Sequence, residues 1–327
     1  MKNDVSPATM LLRMAHDPRF RTFVETRSVN SHLVSKFVAG ETATDALNAT
    51  GELLARGRYV TISHLAPDPL DTTQARIHRK RLRKALRRTV QAGYNVEERI
   101  EIAIRPGALG ARLPNNGYEL ALEHAHKITH TATEKGARVL IESEPGLPAS
   151  DTLSFTDALR QDYPDTGVEL WSMRKRTERD VLERIDSQCR VRLSYGTDEA
   201  RGGEDETHGA RDTDLAYVRS LTELMRSSAA FSVSAADRRV VEISEALVAA
   251  GERQAGTFEY HLRMGTRPIV EATIADRGDR MRVLVPFGRD WYPYLMGRVA
   301  DQPGQFLALF RPTKAARRAK REESDKR

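Results

Sequence analysis

A chain of 327 residues, 39% of them hydrophobic, can bury one large core, and α/β barrels run longer than the usual single domain. Its single cysteine, Cys189, excludes an intramolecular disulfide and a cysteine-built metal cluster, and is expected to pack against the strand that follows it. No apolar run is long enough to span a membrane, and the stretch MKNDVSPATMLLRMAHDPRF has only a short apolar patch interrupted by Arg13 and His16, so a cytoplasmic protein is expected.

The formal charge of +6 and a pI near 9.4 raise the question of nucleic acid, but much of the excess is local. The segment RPTKAARRAKREESDKR from Arg311 holds five arginines and three lysines with almost nothing apolar to bury, which predicts a basic disordered tail over 311–327. A second concentration, RIHRKRLRKALRR from Arg76 to Arg88, keeps a narrow apolar stripe of Ile77, Leu82 and Leu86 and reads first as a solvated outer helix face, with a polyanion or partner site as the alternative. No aromatic residues interleave there to stack on bases, so no nucleic acid partner is expected.

In chain order, residues 1–56 carry helical patterns without a convincing strand, including Ser31 to Val38 and Thr42 to Arg56. Strands and helices then alternate. The strands are expected at Tyr59–His64, Ile100–Ile104, Val139–Ser143, Val168–Trp171, Val191–Ser194, Phe231–Ser234, Phe258–Leu262 and Val283–Pro286. Between and after them, helices are expected at Asp71–Ala92, Tyr118–Lys135, Thr152–Gln161, Thr177–Asp186, Asp214–Arg226, Arg238–Ala249, Arg267–Asp276 and Trp291–Asp301. Eight strands, each followed by a helix, predict a (β/α)8 TIM-type barrel over residues 57–310 with N-terminal helices before it, because parallel neighbours need a helical crossover. The longest connection, Tyr195 to Asp212, is polar and Gly-rich, and reads either as a mobile insertion or as a lid over the active face.

Catalytic groups of such barrels sit at the C-terminal ends of the strands. Those ends offer His64, Asp68, Arg105, Glu142, Glu144, Trp171, Arg174, Tyr195, Asp198, Ser234, Asp237, His261 and Arg263, with Arg298 from the last helix. So many charges beside an apolar core predict a polar, ionised mouth.

The stretch MRVLVPFGRDWYPYLMGRVADQPGQF, Met281 to Phe306, reads as one βα unit and resembles the C-terminal signature of bacterial monofunctional proline dehydrogenases. That signature is V-P-Y-G, then W-Y-P-Y, then R-R-L-A-E-R-P-A-N; the matches are Val285 to Gly288, Trp291 to Tyr294 and Gly297 to Pro303. Other pieces lie in the family's order over residues 34–310. Phe37 to Glu41 resembles F-V-A-G-E, Arg138 to Glu144 resembles V-L-I-D-M-E, and GVELWSMRKRTERD from Gly167 is similar to G-V-x-L-Q-A-Y-x-x-R-T-x-x-D. Val191-Arg192-Leu193 with Gly196 resembles V-R-L-V-K-G-A-Y. Ala236 to Arg239 resembles T-H-D-P-R, and Phe258 to His261 with Gly265 resembles F-E-x-Q-x-L-x-G.

The resemblance implies a flavoenzyme in which FAD lies over the strand ends and L-proline, or a related cyclic amino or imino acid, is oxidised at its C5–N bond by hydride transfer. It implies that Arg298 belongs to the carboxylate clamp, whose other arginine is Gly297 here, and that Arg105 stands for a lysine and Glu142 for an aspartate near the substrate. Arg192 stands for a flavin-contacting arginine. Departures reshape the rest of the mouth. Trp171 replaces the flavin-facing glutamine, Tyr195 a lysine and Asp198 a tyrosine; Ala235-Ala236 replaces a Thr-His pair; and Leu284 replaces a tyrosine.

Carried over, the expected catalytic residues are Arg105, Glu142 and Tyr195, with Arg298, Arg105 and Asp198 binding substrate. Arg192, Trp171, Ser234 and His261 are expected to hold the cofactor. No electron acceptor is indicated. Two other readings remain open: a barrel without flavin in which His64, Glu142 and His261 meet as metal ligands or proton-transfer groups, and a non-catalytic relative that binds a ligand or partner through the same face.

Overall fold

The computed structural model describes residues 34–94, 97–197 and 205–301. The chain forms two compact units, Ala39–Gly288 and a second made of Met1–Val38 with Arg289–Arg327. The tail over 311–327 lies outside the described residues. In the second unit, α1 (Val34–Phe37) is a single turn and α10 (Trp291–Asp301) carries the W-Y-P-Y motif, with the Trp291 and Tyr292 rings edge-on at 6.1 Å.

The first unit is a closed barrel of eight parallel strands: β1 (Tyr59–His64), β2 (Ile100–Ile104), β3 (Arg138–Ile141), β4 (Gly167–Trp171), β5 (Val191–Ser194), β6 (Phe231–Ser234), β7 (Glu259–Arg263) and β8 (Arg280–Phe287). β8 pairs with β1, Arg282 beside Tyr59 and Phe287 beside His64, which closes the sheet on itself. All eight strands lie within a few residues of the expected spans; β8 alone is much longer, running three residues further toward its start. Its helices are α2 (Ala43–Ala55), α3 (Thr72–Gln91), α4 (Gly117–Thr133), α5 (Ala149–Arg160), α6 (Thr177–Asp186), α7 (Ala210–Arg226), α8 (Arg238–Ala249) and α9 (Pro268–Asp276).

Local signals start several of these helices. Thr42 accepts from the Asp45 N–H while the Asp45 carboxylate accepts from the Thr42 N–H, a reciprocal box that opens α2. Asp71 caps α3 by accepting from Gln74 N at 2.8 Å, and Pro268 occupies the first turn of α9. In α3 the buried face is Ala75, His78, Leu82, Ala85, Leu86 and Thr89, whereas Ile77 is 40% exposed. The stripe thus follows the 3.6-residue period through His78, whose Nδ1 lies 3.0 Å from Ala108 O, and Ile77 falls one position off it.

The apolar core is a ring outside the sheet. Val60, Ile62, Ile100, Ile102, Ile104, Val139 and Ile141 pack on α2 to α5, and Val168, Val191, Leu193, Val233 and Tyr260 pack on α6 to α9. Cys189 sits fully buried in the second cluster beside Val191. Because side chains alternate along a strand, the residues between these apolar ones fill the lumen. Most of those are ionised. Glu101 takes salt bridges from Arg190 and Arg192 and a hydrogen bond from Thr61 Oγ1 at 2.8 Å. Arg282 pairs with Glu259, Nη2 to Oε1 2.9 Å, and donates to Val60 O and Glu98 O at 3.0 Å each. Arg138 reaches Glu259 from across the lumen at 3.6 Å.

Burial opposes the charge on Glu101, but Arg190, Arg192 and Arg282 with the Thr61 hydroxyl outweigh it and hold the carboxyl well below the usual range. Glu101→Gln is therefore expected to cost about 3–5 kcal/mol of stability at neutral pH by stranding buried guanidinium charge, as read from denaturant unfolding.

The V-P-F-G turn ends β8 with a close backbone contact. Leu65 N donates to Phe287 O at 2.7 Å and Gly288 N to Gly40 O at 2.9 Å. Gly288 has φ +137°, and a Cβ there would stand 2.3 Å from Leu65 O. Gly288→Ala is expected to lower stability by more than about 1–3 kcal/mol, because backbone strain and the clash with a carbonyl add.

Candidate active site

The strand ladders place one row of charges side by side at the C-terminal rim of the lumen. Ile104 pairs with Ile141 and Ile141 with Val168, so one residue further on Arg105, Glu142 and Glu169 stand alongside one another, and Glu169 pairs directly with Arg192. Neighbouring parallel strands are about 4.8 Å apart, so the two carboxyls are lateral neighbours flanked by a guanidinium on each side. Glu142 accepts from Ser63 Oγ at 3.2 Å and has Arg192 Nη1 3.8 Å from its Oε1. Glu169 accepts from Ser194 Oγ at 2.7 Å, and that hydroxyl lies 3.4 Å from His261 Nε2.

Burial, then the charge of Glu169, pushes the Glu142 carboxyl up from an ordinary 4.5 to about 7, against the pull of Arg192, Arg105 and Arg263. Glu142 thus holds a proton into the neutral range. Burial, reinforced by Arg192 and Arg263, keeps His261 neutral, well below the ordinary imidazole value. Its Nδ1 and the Nε of Arg192 are buried without a hydrogen-bond partner among the described residues.

Arg105 donates to Glu144 Oε2 at 3.2 Å and to Ala66 O at 3.3 Å. Glu144 is buried and also takes Arg112 at 3.2 Å, which in turn grips Asp68. Trp171, on the lumen side of β4, is buried with the Arg174 guanidinium 4.8 Å over its ring, and Arg174 pairs with Asp205 at 3.0 Å. Ser234 lies at the end of β6, where its Oγ accepts from Ala236 N at 3.4 Å.

Tyr195 shares the parity of Leu193 and turns toward the helices, stacking on Tyr217 of α7 with centroids 4.4 Å apart, so it is not brought to Glu142 or Arg105. His64 likewise points outward, its ring 5.1 Å from Phe287 and 5.8 Å from His78; burial and then His78 lower its pKa to about 3. His64, Glu142 and His261 therefore do not converge, since His64 has the opposite strand parity. Asp198 lies outside the described residues, and of Arg298 only its place in α10 is described. The far end of the long loop is tied to the β4–α6 turn by Lys175 N to Glu206 O at 2.9 Å and His208 N to Met173 O at 2.7 Å.

The expected site residues omit Glu169 and Ser63, which sit two and one residues inside their strands, and Ser194, the last residue of β5. The alternation in V-E-L-W and V-R-L-S carries the signal, with every second residue polar and facing the lumen.

A raised Glu142 pKa has a defined linkage. Its contribution is fully present below the unfolded value near 4.5 and is lost as pH rises through about 7. The difference in unfolding free energy between wild type and Glu142→Gln is expected to fall by roughly 3 kcal/mol from pH 4.5 to 8, with His64 and His261 common to both proteins. A pH-independent difference would place the proton elsewhere.

The fold and the rim define an enzyme-type (β/α)8 barrel with an ionised mouth at its strand ends. No family model matches the chain. Proline dehydrogenase 1 of Bacillus subtilis is 28% identical over 272 residues, covering 82% of this chain and 86% of that protein. Proline dehydrogenase of Deinococcus radiodurans is 22% identical over 302 residues, covering 90% and 93%. Among solved structures, proline utilization A from Bdellovibrio bacteriovorus inactivated by N-propargylglycine superposes with a TM-score of 0.77 at 14% identity, over 94% of this chain and 40% of that one. Proline utilization A from Bradyrhizobium japonicum gives 0.69 at 18%, over 89% and 33%. The chain thus spans less than half of either structure. Over most of its length the chain is similar to proline dehydrogenases, as a divergent relative at 22–28% identity. Among the described residues no helix is long and apolar enough to cross a membrane.

Proposed function

We propose that this protein is an oxidoreductase of the proline dehydrogenase type, acting with FAD on L-proline or a related cyclic amino or imino acid. The observation that supports the reading is the row Arg105, Glu142, Glu169, Arg192 at the strand ends, three of whose members are the ones the sequence resemblance sets against the family's lysine, aspartate and flavin-contacting arginine. The buried, unpartnered Nε of Arg192 and the half-buried guanidinium of Arg105 are donors that fit the electron-rich edge of a flavin. Those two residues would hold it by charge. FAD, when bound, supplies the hydride acceptor for oxidation of the ring carbon–nitrogen bond.

The chain's own residues bind, orient and move a proton. Arg105, anchored by Glu144, directs a cation at the acid group of the substrate. Ser63 occupies Oε2 of Glu142, which leaves Oε1 to take the proton of the substrate nitrogen, and a pKa of about 7 suits that transfer at neutral pH.

One observation favours a second reading, a barrel that binds the acid without flavin: Trp171 stands where the family has a flavin-facing amide, and Arg174 covers its ring. The visible absorption spectrum separates the two. After addition of FAD and removal of the unbound excess, flavin bands are expected that bleach anaerobically with L-proline or another cyclic imino acid; a flat spectrum would sink the flavoenzyme reading.

A further inference from the structure

The family holds its substrate's acid group with two neighbouring arginines, and the first of them is Gly297 here. At the barrel mouth stands a guanidinium with no side-chain partner among the described residues. Arg263 is the last residue of β7, on the same parity as Glu259 and His261, whose side chains are bonded inside the lumen to Arg282 and Ser194. Alternation therefore aims Arg263 at the mouth of the lumen, above His261. At that place its charge favours the ionised form of Glu142 and the neutral form of His261.

The other described rim arginines each have a carboxylate partner within the barrel, and of them Arg105 keeps part of its guanidinium exposed for the same acid group. Arg105 and Arg112 are held by Glu144, Arg174 by Asp205, and Arg192 by Glu101. Beyond its backbone bond from Thr266 N, the Arg263 guanidinium makes no hydrogen bond or ion pair with any described residue, and it is half-buried, so part of its hydration is already lost. In the F-E-x-Q-x-L-x-G pattern its position corresponds to the leucine, and Gly265 keeps the turn after it at φ +74°. A cation thus stands at a strand end where the resemblance implies an apolar residue, in a chain with one clamp arginine fewer than it implies.

We propose that Arg263 is a carboxylate-binding residue of the barrel mouth, gripping the acid group of a small cyclic carboxylate. A guanidinium matches a carboxylate with two parallel N–H donors, and no carboxylate among the described residues holds those of Arg263. The inference rests on the oxidation reading only for the class of acid.

Its test uses cyclopentanecarboxylate, which has the acid and the ring but no nitrogen to oxidise. Calorimetric titration is expected to show saturable binding by the wild-type protein, weakened roughly 10- to 100-fold in Arg263→Leu and less in Arg263→Lys. Cyclopentanecarboxamide is expected to bind the wild type and Arg263→Leu alike. Should Arg263→Leu unfold at a lower temperature, Arg263→Gln takes its place. Equal affinity of the variant for the acid, or no saturable binding by the wild type, overturns the proposal. Arg263-dependent binding with a flat flavin spectrum would remove the oxidation reading and leave this one standing. Flavin bleaching by proline with unchanged KM in Arg263→Leu would do the reverse.

Discussion

The barrel is built around buried charge. Glu101, bound by Arg190 and Arg192, and Glu259, bound by Arg282, fill the part of the lumen where branched apolar layers are the usual content of such folds. Taking these groups out of water is costly, and the cost is offset only because every strand delivers its partner to the right height. Arg192 spans two levels, donating to Thr61 and Glu101 below while standing 3.8 Å from Glu142 above. The floor of the site and the stability of the barrel are therefore one network.

From that floor the mouth inherits its acid–base character. Glu142 and Glu169 are adjacent because β3 and β4 are adjacent, and the arginines on either side keep the pair tolerable without cancelling it. A carboxyl beside another carboxyl, with little water, retains its proton to higher pH. Ser63 and Ser194 each tie down one carboxyl oxygen, so the pair is oriented as well as charged.

At the strand ends several residues differ from those that the sequence resemblance implies. The scaffold residues, Phe287-Gly288 at the end of β8 and the glycine after β7, keep the backbone in place. Above them stand an indole covered by Arg174, the pair Ala235-Ala236 and Arg263, where the resemblance implies an amide, a Thr-His pair and a leucine. A fold tolerates such exchange at strand ends because the apolar ring behind the strands, not the mouth, supplies its burial.

The amino-acid sequence by itself determined the barrel. Alternating βα periodicity located all eight strands, and the V-P-F-G and W-Y-P-Y pieces indicated the family, because hydrophobic period and turn glycines are local properties of the chain. It also marked Arg105, Glu142 and Arg192 as rim residues, since each ends or lies in a recognisable strand. Only the tertiary structure decided which of the polar residues share a space. Strand parity turned Tyr195 onto Tyr217 and His64 onto Phe287, away from the lumen. It brought in Glu169, which no motif singled out, and left Arg263 without a partner. Those outcomes depend on the register between strands far apart in sequence, and a one-residue shift in register would exchange lumen for helix layer.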